Sequence, residues 1–343
     1  MTQTFSSTKL SDSKFSGLEL MRLEMQHQIP DSLETLKICA SDAALIAENI
    51  RATGRVLMLG MGASHCANRI CEPLYRVLEI DAVAAPLSEA IYAPFSNQDR
   101  VTLLVSQSGA SGEVSKYLEL FSNREQQYGL TLEPQSPLTK GLPSLVAHGG
   151  TERGFAATRS LLLTLVMHAS ILEALGSKDD VRNALQSPIP NVDAALETVS
   201  ASRTLIYSGR RHLQGLAEVC ALHTAELARV PALALEGGQF KHGPLELLEP
   251  SFGVVFLRAS GPTANLTSSL IETCLRAGIT PIVFDASGEP ELSGTVTIPI
   301  AHHHGLSSAI AAMLPLQNFV IGFAQQRIEH VAEPRFSSKV TAG

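Results

Sequence analysis

Three serines and two glycines crowd into eight residues, Ser106-Gln107-Ser108-Gly109-Ala110-Ser111-Gly112-Glu113. An apolar run, VTLLV, comes just before them and a helical pattern just after. A helix N-terminus offers unpaired N–H groups and partial positive charge. Hydroxyls add neutral donors, and glycines let backbone approach an anion. Such a loop can hold a phosphate monoester without any lysine. The alternative is an ordinary Ser-rich turn in which Ser111 caps the helix. Upstream, Leu59-Gly60-Met61-Gly62-Ala63-Ser64-His65 resembles half of a dinucleotide fingerprint. Its third glycine would fall on His65, and no acidic residue closes a second strand where ribose would need one. NAD binding is therefore rejected and no cofactor is expected. Gly62 and Ser64 are instead expected beside the Ser106 loop.

Glu226, His242 and Lys339 carry the remaining chemistry. On a helix over 212–230, Leu216, Val219, Cys220, His223 and Leu227 form one apolar stripe, and Glu226 lies at its edge. Desolvation raises the pKa of a partly buried carboxylate, which suits a base that takes and returns a carbon-bound proton. A buried Glu neutralised by a nearby cation is the alternative. Glu236-Gly237-Gly238-Gln239-Phe240-Lys241-His242-Gly243-Pro244 predicts an irregular loop after a strand, with His242 available to a ring oxygen. Lone loop histidines are more often simply exposed. Lys339 sits in a tail whose Pro334, Arg335 and Val340 argue for order; a lysine there can form an imine or polarise a carbonyl. Adjacent His302, His303 and His304 point apart, and no metal site is expected.

These residues need a scaffold. Short runs rich in branched apolar residues begin near Arg55, Val83, Val101, Thr204, Pro231, Gly253, Thr280 and Thr295, with helical patterns between most of them. That alternation predicts an α/β protein with parallel sheets covered on both faces. The two halves echo each other, which predicts an internal duplication joined near 187–193. Residues 129–146 should hold a fourth and fifth strand but give only fragments. The second half's equivalent loop, Arg258-Ala259-Ser260-Gly261-Pro262, puts proline where a donor is wanted, so one phosphate site per chain is expected. A net charge of -7 and the lack of a basic stripe argue against nucleic acid. Five scattered cysteines, the polar N-terminus and the interrupted apolar stretches at 161–175 and 306–323 lead us to expect a cytoplasmic protein outside the membrane.

The Ser106 loop, Lys241-His242-Gly243-Pro244, the segment 21–33 and the tail 334–340 together resemble the sugar isomerase (SIS) family, and in particular the isomerase half of glucosamine-6-phosphate synthase. The resemblance implies two tandem SIS domains, each a five-stranded parallel sheet sandwiched between helices (three-layer αβα). Domain 1 would cover 21–186 after a loose arm at 1–20. Domain 2 would cover 193–330, followed by a tail at 331–343 over the active site. It further implies that Ser106, Gln107, Ser108, Ser111, Gly62 and Ser64 hold a hexose phosphate, with Ser338 beside them. Glu226 would shuttle a proton between C1 and C2. His242 would assist ring opening, often from the neighbouring subunit of a homodimer, and Lys339 would meet the carbonyl. His223 and Lys241 are secondary candidates. His223 stands where the synthase has a lysine, and Ala157 where it has a sugar-contacting serine. Thr2 stands where the synthase's glutaminase has its cysteine, so free amine or water is the expected co-reactant. The resemblance therefore implies an isomerase or aminosugar-phosphate deaminase. A fructosamine-phosphate deglycase, a simple aldose–ketose isomerase and a non-catalytic sugar-phosphate sensor are the alternatives.

Overall fold

The computed structural model describes residues 15–95, 99–121 and 124–339. Most of the expected arm and the last four tail residues, Val340 among them, lie outside the described residues. Ten strands form two parallel five-stranded sheets. The first holds β1 (Arg55–Gly60), β2 (Asp81–Pro86), β3 (Val101–Val105), β4 (Gln127–Thr131) and β5 (Ser144–Val146), in the order β2-β1-β3-β4-β5. The second holds β6 (Thr204–Gly209), β7 (Ala232–Glu236), β8 (Phe252–Ala259), β9 (Ile282–Ala286) and β10 (Val296–Pro299), in the order β10-β9-β8-β6-β7. In both sheets the order reverses beside the first strand, which opens a crevice at the carboxyl ends.

Twelve helices are described. They are α1 (Gly17–Ile38), α2 (Ala40–Thr53), α3 (Gly62–Val77), α4 (Leu87–Tyr92), α5 (Gly112–Leu120), α6 (Pro137–Gly141), α7 (Arg159–Leu175), α8 (Val181–Leu185), α9 (Asp193–Thr198), α10 (His212–Ala228), α11 (Ser268–Arg276) and α12 (Gly305–Gln325). Strand alternation sorts them into layers, because successive side chains face opposite ways. Leu57, Leu59 and Leu104 pack outward with α4, α5 and α6 residues, whereas Val56, Met58 and Leu103 face a shared interior. Likewise Ile206, Val254 and Phe256 pack outward with α11, whereas Leu205, Tyr207 and Val255 face inward. The shared interior is one continuous apolar core holding faces of α2, α3, α7, α10 and α12. By length and composition α12 could span a membrane, but 89% of its apolar window is buried inside the protein.

The halves meet where α10 lies along α3. Gly215 makes the approach possible. A Cβ there would collide with the backbone nitrogen of Ile70 on α3. Such an overlap forces two backbones apart, since neither can rotate away. Gly215→Val should therefore lower stability by about 1–3 kcal/mol. Thermal melting checks this; an unchanged midpoint would show that the two helices can separate at no cost.

Candidate active site

β3 ends in the serine loop, and α5 begins immediately after it. Ser111 caps α5, accepting from the Val114 amide at 3.4 Å. Ser106 Oγ accepts from the Gly109 amide at 3.2 Å, and Ser108 Oγ from the Ala110 amide at 3.3 Å. Gly109 has φ 58°, and a Cβ there would strike Ser136 Oγ, so this turn needs glycine. On the adjacent strand, β1 ends at Gly60, and α3 opens with Gly62, Ala63 and Ser64. Two helix N-termini thus face one cavity of about 250 Å³.

Gly62, Ser64, Ser106, Gln107, Ser108 and Ser111 all line that cavity, and Glu226, Ser338 and Lys339 line its far wall. Three other candidates lie elsewhere in this chain. His223 is fully buried behind the wall, one turn from Glu226. Lys241 and His242 are exposed in the loop after β7, where Lys241 donates to Ser269 Oγ at 2.6 Å. Ala157 does line the cavity, presenting a methyl. In the second half, the corresponding cleft holds only about 20 Å³. Arg258 fills that region from below, held at 2.8 Å by Asp285. His303 and His304 turn to Ser187 and Ser260, and no group of three metal-ligating side chains converges among the described residues.

The electrostatics of the far wall follow from burial. Desolvation pushes the Glu226 carboxyl up to about 7, against the pull of the Lys339 charge. Its Oε2 has no hydrogen-bond partner. Burial pushes His223 down to about 4, so it is a neutral imidazole near pH 7, and its Nε2 is also unpartnered. Lys339 Nζ lies 2.9 Å from Oε2 of Glu152 and 3.4 Å from the Phe155 carbonyl. Burial pushes the Glu152 carboxyl up, but the Lys339 ammonium and hydrogen bonds from Lys339, Ser160 and Thr158 outweigh it, and the net displacement is downward.

Reading the sequence missed Glu152, Ser160, Thr164 and Phe155. The last three line the cavity, with Ser160 and Thr164 on successive turns of α7. Two hydroxyls four residues apart, beside the apolar runs Leu161–Leu163 and Leu165–Met167, were the available signal. Glu152 had none, because its partner lies 187 residues away.

Residues 199–324 match the SIS domain family. Over 94% of its length the chain is 25% identical to a glutamine–fructose-6-phosphate aminotransferase (isomerizing) of Pyrobaculum aerophilum, and it covers 57% of that protein. The chain spans about half the length of the curated relatives it matches, 57%, 51% and 50% for three of them. Three solved structures share its fold. The C-terminal domain of a glucosamine-fructose-6-phosphate aminotransferase from Francisella tularensis superposes with a TM-score of 0.78 at 18% identity, over 95% of this chain and 100% of that one. A tagatose-6-phosphate ketose/aldose isomerase from Escherichia coli gives 0.75 at 20%, over 92% and 97%. A glucosamine-6-phosphate deaminase from Thermotoga maritima gives 0.66 at 18%, over 91% and 99%.

If the serine loop grips an anion through neutral donors, replacing Ser106, Ser108 and Ser111 together with alanine should weaken binding of a phosphate monoester at least about 30-fold, on the order of 2 kcal/mol. Calorimetric titration of the folded variant checks this. Unchanged affinity would place the anion elsewhere.

Proposed function

Starting from the match of residues 199–324 to the SIS domain family, we propose a phosphosugar enzyme that converts an amino hexose phosphate and water into a ketohexose phosphate and ammonia, with glucosamine 6-phosphate as the leading substrate. The observation that carries this reading is the pairing of an unpartnered carboxyl poised near neutral pH with a hydroxyl-lined cavity and a lysine. Both halves are read as SIS domains, spanning 21–186 and 193–330, with the tail from 331 over the first half's site, where Ser337, Ser338 and Lys339 line the cavity.

The phosphate sits in the serine loop between the N-termini of α3 and α5. Glu226 takes the proton from C2 of the open-chain sugar and returns it to C1, while the C1 oxygen gains a proton and the C2 nitrogen loses one, so the double bond moves from C1–oxygen to C2–nitrogen. Water then adds at C2 and ammonia leaves, giving the ketone. The Lys339 ammonium polarises the C1 oxygen while the proton is in transit. His242 is exposed and distant from the cavity of its own chain, and we assign it to ring opening in the site of a second copy. Removal of an amino-acid adduct from a fructosamine phosphate would use the same groups, as would aldose–ketose isomerisation without loss of nitrogen. Ammonia release from glucosamine 6-phosphate in the cytoplasm is the form we favour.

Ammonia release and solvent deuterium uptake at the reacting carbon test the assignment. The acid limb of kcat/KM should rise through about pH 7, because Glu226 acts as a base only above its raised pKa. Glu226→Gln should cost about 10²–10⁴ in rate. If hexose phosphates raise the melting temperature but no deuterium enters, the chain is a sensor and the enzyme reading fails.

Shared sites make a second prediction. Glu226→Gln and His242→Ala chains should each be inactive alone. Mixed and reassociated, they should recover about a quarter of wild-type activity, since half the dimers then hold one intact site of two. No recovery would leave His242 without the assigned role.

A further inference from the structure

We propose that Glu152 is the positioning residue that seats Lys339 and holds the C-terminal tail closed over the cavity. The inference rests on the phosphosugar reading for its chemical meaning, but its geometry stands apart from it. Glu152 lies in the loop before α7, and its side chain is fully buried. Oε1 accepts from the Thr158 amide at 2.9 Å, the Arg159 amide at 2.7 Å and the Thr158 hydroxyl at 3.0 Å. Those bonds pin the carboxylate to the N-terminus of α7, where negative charge is favoured. Oε2 is left to face Ser160 and Lys339. Glu152 is the one carboxylate within 4.0 Å of Lys339 among the described residues.

The tail is held at two places. At its root Val331 and Ala332 are buried, Gly17 of α1 packs on the Ala332 backbone, and Arg229 donates to the Glu333 carbonyl at 2.8 Å. At its far end Lys339 meets Glu152. Residues 335–338 between these anchors are exposed, yet Ser337 and Ser338 form part of the cavity wall. Residues 335–337 are exposed and have little apolar burial to hold them, so the bond from Lys339 to Glu152 is a principal restraint on the far end of the tail. The far anchor is a buried charge. With Lys339 withdrawn, Glu152 would keep its helix-cap bonds but lose its counter-ion, and an uncompensated buried charge is strongly disfavoured.

Two consequences follow for the site. The ion pair seats the Lys339 side chain in the cavity wall that also holds Glu226. The backbone carbonyl of Glu152 also accepts from Gln107 Nε2 at 3.1 Å, so one residue braces both the serine loop and the tail. Phosphate grip and lid closure therefore share a support.

Glu152→Gln in the full chain tests this. The glutamine oxygen can still accept the α7 amides, but its NH₂ cannot accept from Lys339. Amide hydrogen exchange, measured without substrate, should quicken about tenfold or more across 333–339 while α7 stays protected. Lys339→Met should open the same segment, and the double variant should exchange no faster than either single one. In turnover, Glu152→Gln should lower kcat, Lys339→Met should lower it further, and the double variant should be no slower than Lys339→Met. An unchanged tail, or equal acceleration in the tail and α7, would overturn the proposal. Non-additive tail opening in a chain with no turnover would support the anchor while refuting the enzyme reading.

Discussion

The cavity has a second-half wall only because two helices touch backbone to backbone. At Gly215 no side chain intervenes between α10 and α3, and any side chain there would drive Ile70 away. Glu226 lies three turns further along α10, beside the opening of α3 that carries Gly62 and Ser64. A carboxyl supplied by one sheet's helix thus meets a serine loop supplied by the other sheet's strand. The common core between the sheets fixes this relation, because α3, α7, α10 and α12 are buried on the same interior and cannot shift singly without opening voids.

That docking also sets the charge pattern. The anion end of the cavity offers amides, hydroxyls and helix N-termini, and no lysine or arginine. The other end holds Glu226, Lys339 and, just behind the wall, Glu152 and neutral His223. Burial raises Glu226 while Glu152 is kept ionised by its cation and its helix. Two carboxyls near one lysine are driven apart in acidity by their surroundings, a pattern that separates a proton carrier from a structural anion.

Much of this could be read from residue order. The serine loop stood out because a buried strand, hydroxyls, glycines and a helix start are all local features. The second half's five strands were legible for the same reason, as branched apolar runs between helices. β4 and β5 were not: they span five and three residues, β4 contains Gly129, and their pairing with β3 supplies the order that local propensity lacks. Glu226 was singled out by the family resemblance; helical periodicity put it at the edge of the apolar stripe and His223 on that stripe, but could not show His223 lying behind the wall. Glu152 was invisible, since its meaning comes from Lys339, far along the chain. His242 does not line the cavity of its own chain, and nothing local in its loop shows where it acts.

The account depends most on Glu226 being carried into a desolvated wall by the docking of α10. Its carboxyl can be followed by carbon-13 nuclear magnetic resonance in the full chain with labelled glutamate, the resonance identified by its loss in Glu226→Gln. We expect its midpoint to lie near 7. A midpoint in the ordinary glutamate range, about 4.3, would mean that the carboxyl is solvated, and the central claim would be contradicted.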